Sequence, residues 1–308
     1  MLNINSTRVR RGVSAAALLC LVLLPARPSL GWGAGGHMMT AKIAFDRLNP
    51  RAKAEAVRLM AIPINPSDIT NRRLGFFRGA VWPDDVRRSP GFEFSGNEHF
   101  ADFPFSVDGT PLPNLPLEAN VIKALGRYVQ VLKTSTDDNE RAQALRFIIH
   151  YVGDIHQPLH CSARVDREHP KGDEGGNLFF IRVPVKGGAV ASVKLHSYWD
   201  GGLDSFPRGG GAPDFEPPVQ GLIDSAVVSI VKQNPDTNHL LGLDNPTNFQ
   251  GWADESSWLA EKYAYANRTL APNTRISDAY KQNGITLARR RVAWGGYRLA
   301  ALLNSIWP

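Results

Sequence analysis

The 308-residue sequence has little cysteine, since Cys20 and Cys161 are its only two. It also lacks a strong excess of either charge, because 35 basic and 29 acidic side chains leave a formal net charge of +6. A composition of 43% hydrophobic and 21% charged residues excludes a disordered or collagen-like chain. The roughly 20 apolar residues that a spanning helix needs do not occur in succession, which excludes a multi-span membrane protein.

The first 31 residues have the three parts of a secretory signal. Three arginines at positions 8–11 precede an apolar run from Val13 to Leu24, and small residues flank Leu30. We therefore predict cleavage after Gly31, a mature domain over residues 32–308 that starts at Trp32, and a secreted or periplasmic location without a membrane span. Removing four arginines with this segment leaves 31 basic against 29 acidic residues, so general attraction to phosphate is not a whole-protein property.

Helical periodicity dominates the remainder, which predicts one mostly α domain with a small β-hairpin. Helices are predicted over residues 37–48, 50–60, 121–132, 142–156 and 285–304, and near His196. The 142–156 helix is apolar nearly all round and so should be buried, and Pro158 should end it. The hairpin is predicted between residues 178 and 195, with surface loops over 104–116 and 207–218.

The buried helix carries His150 and Asp154, four residues apart and therefore on one face. A single buried histidine is more often a hydrogen-bonded core residue than a metal ligand. Here, however, His156 and His160 lie in the same eleven-residue stretch, which is costly to bury unless metal or hydrogen bonds satisfy these groups. Because Pro158 separates His156 from His160, we interpret His156 as an orienting residue rather than a ligand.

The same four-residue spacing recurs at His196 and Asp200, and further histidines and acids stand at His37, Asp84 and His99. Imidazole and carboxylate without a thiolate cluster indicate a hydrolytic zinc site rather than a zinc finger. So many candidate ligands indicate more than one ion.

Taken together, these motifs resemble the S1/P1 nuclease family over the whole predicted mature chain. The resemblance is carried by Trp32-Gly-Ala-Gly-Gly-His37, Trp82-Pro-Asp84, His99-Phe-Ala-Asp102, His150-x3-Asp154-Ile-His-Gln-Pro-Leu-His160, Gly172-Asp-Glu-Gly-Gly-Asn177 and Leu195-His196-x2-Trp199-Asp200. Each motif alone is weak, but their order and spacing together are specific. The resemblance implies an all-α fold that binds three zinc ions at the bottom of a cleft.

By motif position, the resemblance assigns a ligand set to each ion. The first set is Asp84, His99, His150 and Asp154; the second is the amino nitrogen and carbonyl oxygen of Trp32 with His37 and Asp154; the third is His160, His196 and Asp200. Asp154 would bridge two ions, which together activate a hydroxide for attack on phosphorus and make Asp154 the central catalytic ligand. Only a cleaved signal would free the Trp32 amine.

The implied activity is endonucleolytic hydrolysis of single-stranded DNA and RNA to 5′-phosphate products, with 3′-nucleotidase activity as an accompanying expectation. Phe100 matches the base-stacking position, Asp102 a position that hydrogen-bonds a base, and Asn177 a nucleotide contact. For Phe100 a core role, and for Asn177 a turn role, are the alternatives. Where some members carry a further acid and a lysine, this chain has Pro104, Phe105 and Val107.

Two other functions remain open at this point. Zinc phospholipase C enzymes share the fold and ligand order, but their last helical pair is His-x3-Glu where this chain has His196 and Asp200. A non-catalytic exported zinc-binding protein would need the ligands without the nucleotide pocket. None of the three functions implies a stable protein partner. As a nuclease, the protein would act on single-stranded DNA and RNA and on nucleotides.

Overall fold

The computed structural model describes residues 32–64, 75–114, 120–185, 187–207, 217–236 and 242–308. The helices are α1 (Ala34–Phe45), α2 (Pro50–Met60), α3 (Phe76–Gly79), α4 (Trp82–Val86), α5 (Val121–Thr134), α6 (Asp138–Asp154), α7 (Leu195–Asp200), α8 (Pro217–Gln233), α9 (Phe249–Leu259) and α10 (Asp278–Ile306). Shorter 3-10 helices cover Glu93–His99 and Pro158–Cys161, and a π-helix covers Ala260–Ala264. The prediction of a mostly helical fold with a small hairpin is confirmed.

Local sequence signals explain where several helices begin and end. Asn49 accepts a hydrogen bond from the Ala52 backbone nitrogen at 2.8 Å, and Pro50 follows it in the first helical position of α2. The predicted 142–156 helix is α6, which begins at Asp138 and ends at Asp154. His156 therefore lies beyond the helix. The C-terminal helix begins seven residues before its predicted start, where the Ser277 side chain caps it.

Helices α1 and α10 pack against each other at the centre of the fold and contribute to both clusters of buried apolar residues. Gly296 makes this approach possible, since a Cβ atom there would lie 2.5 Å from Cγ2 of Ile43. One cluster fills the space between α2, α5, α6 and α9, and the other lies beneath the hairpin and α8. The buried α6 is thus fixed on several sides, which makes it a rigid base for its polar side chains.

The predicted hairpin consists of β3 (Phe180–Pro184) and β4 (Val190–Lys194), which are antiparallel, with Pro184 at the end of its strand opposite Val190. Gly187 and Gly188 both have φ near +80°, as a tight turn requires.

The prediction of a loop over 104–116 is wrong at its beginning. Strand β1 (Pro104–Ser106) pairs in parallel with β2 (Ala163–Val165), which follows the 3-10 helix at 158–161. Phe105 is buried, so this stretch of backbone lies against the core and not in a surface loop.

Two further expectations concern residues that the structure does not describe, in whole or in part. The signal at 1–31 lies outside the described residues, and so does most of the predicted loop at 207–218, of which 208–216 are not described. Within the described ranges, none of the helices combines the length and the apolar character that crossing a membrane requires.

Candidate metal centre

The fold gathers the predicted histidine and aspartate ligands into three groups of side chains. The groups are Asp84, His99 and His150; His37, His150 and Asp154; and His160, His196 and Asp200. Within each group the potential ligand atoms lie within 4.8 Å of one another. The ligands come from α1, α4, α6, α7 and the two 3-10 helices, so the tertiary fold and not one local motif assembles the site.

Asp154 lies where the first two groups meet. Its Oδ1 atom is 3.3 Å from Nε2 of His37, and its Oδ2 atom is 2.9 Å from Nδ1 of His99 and 3.1 Å from Nε2 of His150. The ring of His37 stacks on that of His150 at 3.9 Å. This stacking requires Gly153, because a Cβ atom there would lie 2.6 Å from the His37 ring.

Backbone carbonyl groups orient three of the imidazoles. The Nδ1 atoms of His150, His160 and His196 each lie 2.7 Å from a carbonyl oxygen, those of Ala80, His99 and Gly175 respectively. A proton held on Nδ1 by such a contact leaves the lone pair on Nε2 as a metal ligand. The backbone thereby selects the tautomer that a metal needs.

Several of these buried side chains have ligand atoms that find no hydrogen-bond partner among the described residues. They include both ring nitrogens of His37, Nε2 of His99, His160 and His196, and Oδ1 of Asp84 and Asp154. Buried polar atoms are normally satisfied. Since these atoms face one another within the three groups, the residues present fit bound cations.

The electrostatics of the cluster favour the same interpretation. Burial raises the pKa of Asp154 well above its usual range and that of Asp84, whose side chain keeps 22% exposure, to about 7. Burial also lowers the pKa of His37, His99 and His160 well below the usual value, and that of His196 to about 4. Neutral imidazoles keep a free lone pair, and a nearby cation would stabilise the ionised carboxylates.

Trp32, the remaining predicted ligand, is fully buried, with its ring 5.3 Å from that of Phe206. The next residue, Gly33, donates its backbone N–H to the carbonyl oxygen of Asp200 at 2.9 Å. The start of the described chain is therefore attached to a residue of the third group.

The predicted nucleotide contacts lie along the segment that leaves His99. Phe100 is partly buried and belongs to neither apolar cluster, so the structure does not make it a core aromatic. The backbone N–H of the following Ala101 donates to the carbonyl oxygen of His160 at 2.8 Å, which keeps this segment beside the third group.

The other two predicted contacts have environments of their own. Burial, followed by the charges of Asp173 and Glu174, raises the pKa of Asp102 to about 7. Asn177 is buried and donates from its side chain to the Glu174 carbonyl oxygen at 3.0 Å, so its amide takes part in the turn. Phe105, one of the three residues noted in the neighbourhood where an acid and a lysine were expected from the resemblance, packs into the second apolar cluster.

Sequence reasoning missed two residues beside the site. Gln157 is fully buried and donates to Oδ1 of Asp200 at 2.7 Å. Arg87 follows the end of α4, and its positive charge lowers the pKa of both Asp84 and Asp154. The sequence offered two signals for these residues. Gln157 lies between the candidate ligands Asp154 and His160, and Arg87 lies three residues after Asp84. The Nε2 atom of His156, the residue predicted to orient a ligand, lies 2.9 Å from the guanidinium of Arg298.

The fold and the site together are those expected of a metal-dependent hydrolase, because three groups of His and Asp side chains that could hold metal ions converge in a helical domain. Comparison with known proteins identifies the family, because the model of the S1/P1 Nuclease family matches residues 32–308. The chain belongs to this family and is a phosphodiester hydrolase acting on nucleic acid.

Plant and fungal relatives cover nearly the whole chain. Endonuclease 3 of Arabidopsis thaliana is 27% identical over 292 residues, covering 91% of this chain and 90% of the relative. Nuclease P1 of Penicillium citrinum is 27% identical over 292 residues (89% and 97%), and Nuclease S1 of Aspergillus oryzae is 26% identical over 304 residues (95% and 96%). These relatives favour a nuclease over a phospholipase or a non-catalytic zinc protein.

Proposed function

We propose that this protein is a three-zinc endonuclease that cleaves single-stranded DNA and RNA and leaves 5′-phosphate ends. The observation that carries the proposal is the set of buried, unpartnered ligand atoms converging in three groups. Zinc fits this donor set, because imidazole nitrogen and carboxylate oxygen are its usual ligands in hydrolytic sites. The sole cysteine of the described residues, Cys161, is buried outside the three groups.

In this proposal each ion has its own ligands. Asp84, His99, His150 and Asp154 hold one, Trp32, His37 and Asp154 hold the second, and His160, His196 and Asp200 hold the third. Trp32 contributes its amino nitrogen and carbonyl oxygen, which requires that cleavage after Gly31 has freed the amine. Export to the periplasm or the cell exterior is therefore part of how the site matures.

When bound, the ions supply Lewis acidity and lower the pKa of water, the usual basis of metal-assisted phosphodiester hydrolysis. The protein's own residues position the ligands and the substrate. The Ala80, His99 and Gly175 carbonyl groups hold protons on Nδ1 of their histidines. Asp154 belongs to the interactions of both of the first two groups, and the positive charge of Arg87, which lowers the pKa of Asp154, would offset negative charge that develops on phosphate there.

Phe100 and Asp102 provide the preference for single strands. An aromatic ring stacks on a base of any identity, but only when that base is free of its complementary strand. Asp102 then contacts the base edge, as an acceptor when ionised and as a donor when protonated. Removal of a 3′-phosphate from a mononucleotide would use the same base contacts, and we include it in the proposal.

The deciding experiment measures zinc content, N-terminal mass and product release on the exported protein. We expect three zinc ions per chain, a Trp32 N-terminus, and 5′-mononucleotides from single-stranded DNA and RNA that disappear with chelator. A 3′-mononucleotide and a choline phospholipid serve as further substrates, and His160→Ala serves as a control that lacks one ligand of the third group. Phosphate ester release from phospholipid alone, or zinc without any hydrolysis, would overturn the proposal.

A further inference from the structure

The end of α9 and the turn after it form an exposed surface outside the metal centre. We call it the Trp258 surface, and it comprises Trp258, Lys262, Asn267, Arg268 and Arg275. Trp258 is 56% exposed, whereas the other tryptophans of the described chain are buried or partly buried. An exposed tryptophan ring offers a flat face on which an unpaired base can stack.

Positive side chains lie along this surface. Nζ of Lys262, one helical turn further on, lies 4.4 Å from the centre of the Trp258 ring. Arg268 has half of its side chain exposed and forms an ion pair with Glu261. Arg275 is exposed and lies beside Arg182, with which it forms a β-bridge. The two depressions on this surface are thus lined by three cations, Lys262, Arg268 and Arg275, and one acid, Glu261, and this excess of positive charge complements a polyanion.

Two depressions meet on the surface. The larger, about 510 Å³, is lined by Tyr263, Arg275 and Ser277 among others, and the smaller, about 330 Å³, by Trp258 and Arg268. Both are lined by Lys262 and Asn267, so the two depressions adjoin each other. Each depression has a volume in the range of small-ligand sites.

The turn that carries the groove is strained. Ala266, Asn267 and Arg268 have φ values of 49°, 56° and 65°, a left-handed conformation that non-glycine residues seldom adopt in succession. The preceding Ala260–Ala264 segment is a π-helix, another infrequent conformation. Strain of this kind persists where the surrounding structure enforces it, and it clusters at ligand sites.

The strained turn at residues 266–268 is held against the loop at residues 173–175, which contacts a residue of the metal centre. The Tyr265 hydroxyl donates to Oδ2 of Asp173 at 2.8 Å, and two residues further on the Gly175 carbonyl oxygen contacts His196. Arg268 also lies over the ring of Phe105, 5.4 Å from its centre. The Trp258 surface thus adjoins the loops that carry the predicted nucleotide contacts.

From these observations we infer that the Trp258 surface is an accessory site for single-stranded nucleic acid. Trp258 stacks on an unpaired base outside the cleft, and Lys262 and Arg268 contact the adjoining phosphates. Stacking platforms flanked by cations bind single strands with little sequence preference, which suits this combination. The inference rests on the proposed function and adds to it a reason for preferring long strands to dinucleotides.

The test compares two double variants on two substrates. Trp258→Ala with Lys262→Ala removes the platform, and Val228→Ala with Lys232→Ala removes an exposed apolar residue and a lysine at the same spacing on α8. We expect the first pair to raise KM for a 30-nucleotide oligo(dT) about fivefold or more. KM and kcat for a dinucleotide should not change, and the α8 pair should match the wild type on both substrates.

Two further measurements separate stacking from a structural effect. Trp258→Phe should recover most of the long-strand KM, because a phenyl ring still stacks on a base. Lys262→Gln should reduce the slope of log affinity against log salt for oligo(dT) by about 0.7, as expected for one lost phosphate contact on a single strand. Equal losses on dinucleotide and oligo(dT), or no loss on either, would overturn the inference. Failure of the wild type to hydrolyse both would instead overturn the proposed function.

Discussion

Gln157 donates a hydrogen bond from Nε2 to Oδ1 of Asp200 at 2.7 Å. Its Oε1 atom accepts from the backbone N–H of Leu159 at 2.6 Å, at the start of the 3-10 helix that carries His160. One side chain thus sets the position of two residues of the third group, although none of its atoms belongs to that group. Such outer contacts hold a metal ligand in its binding orientation.

We therefore expect Gln157→Leu to weaken retention of one zinc ion about 10- to 100-fold and to leave the other two in place. The measurement is zinc content after dialysis against graded chelator concentrations. Gln130→Leu, an exposed glutamine on α5, is the control and should keep the wild-type profile. Three equally retained ions in Gln157→Leu would show that Asp200 needs no such support.

Asp154→Asn should abolish hydrolysis, by about 10³-fold or more, while the protein remains folded and helical. The physical reason is that both carboxylate oxygens are engaged, Oδ1 toward His37 and Oδ2 toward His99 and His150. Loss of one charge should therefore affect two ions, and zinc content should fall by more than one per chain. Far-UV circular dichroism and metal analysis check both statements, with Asp85→Asn as the neighbouring control. Near-normal activity would contradict a shared role for Asp154.

The fold and the ligands were predictable to the extent that they depend on local spacing. The four-residue separation of His150 and Asp154, and of His196 and Asp200, places each pair on one helical face whatever the tertiary fold. The carbonyl oxygens of Ala80 and Gly175 have no such signal, because a backbone oxygen is present at every residue and only the folded path brings it to a histidine.

The failures of prediction have the same origin. Strand β1 pairs with residues nearly sixty positions later, and a proline-rich stretch gives no local sign of that pairing. Arg87 follows a short helix, where arginine is ordinary, and only its proximity to buried carboxylates distinguishes it. Both features depend on contacts between residues far apart in the sequence, and a local sequence pattern does not predict such contacts.

Phe100→Ala should raise KM for single-stranded substrate about fivefold or more and leave kcat largely unchanged. The ring lies outside the apolar clusters, so its loss removes a stacking surface with little effect on packing. Steady-state kinetics on an oligonucleotide provide the measurement. Phe94→Ala, a half-exposed aromatic in the preceding 3-10 helix, is the matched control. An unchanged KM in Phe100→Ala would argue against stacking at this position.

The difference in stability between Asp102→Asn and the wild type should shift in favour of the variant when the pH is raised from 5.5 to 8. Burial, with the charges of Asp173 and Glu174, raises the pKa of Asp102 to about 7 in the folded state, so the folded state binds a proton that the unfolded state has already released. Stability therefore falls as pH rises toward and through 7, where the buried carboxylate ionises.

An asparagine cannot ionise, so the variant should gain about 1–2 kcal/mol relative to wild type between pH 5.5 and pH 8. Urea unfolding at both pH values tests this expectation. Asp108→Asn is the control, because hydrogen bonds from Thr110 lower the pKa of Asp108, and its replacement should not stabilise the protein at pH 8. A pH-independent difference between Asp102→Asn and wild type would contradict the assignment.

Arg87→Ala should lower kcat about 10²-fold while the zinc content stays the same. Hydrolysis adds negative charge at the phosphate, and a fixed cation beside the metal groups stabilises that charge more than it stabilises the bound substrate. The influence of Arg87 on the pKa of Asp84, Asp154 and His99 shows that its field reaches the groups that would hold the ions.

The lysine variant separates charge from geometry at this position. Arg87→Lys keeps the cation but lacks the planar guanidinium, whose forked geometry suits two phosphate oxygens at once, so it should recover only part of kcat. Arg88→Ala, an exposed neighbour, should behave as wild type. If Arg87→Ala instead lost zinc and kcat together, the arginine would act by maintaining the ligands, and full activity with full zinc would remove Arg87 from the mechanism.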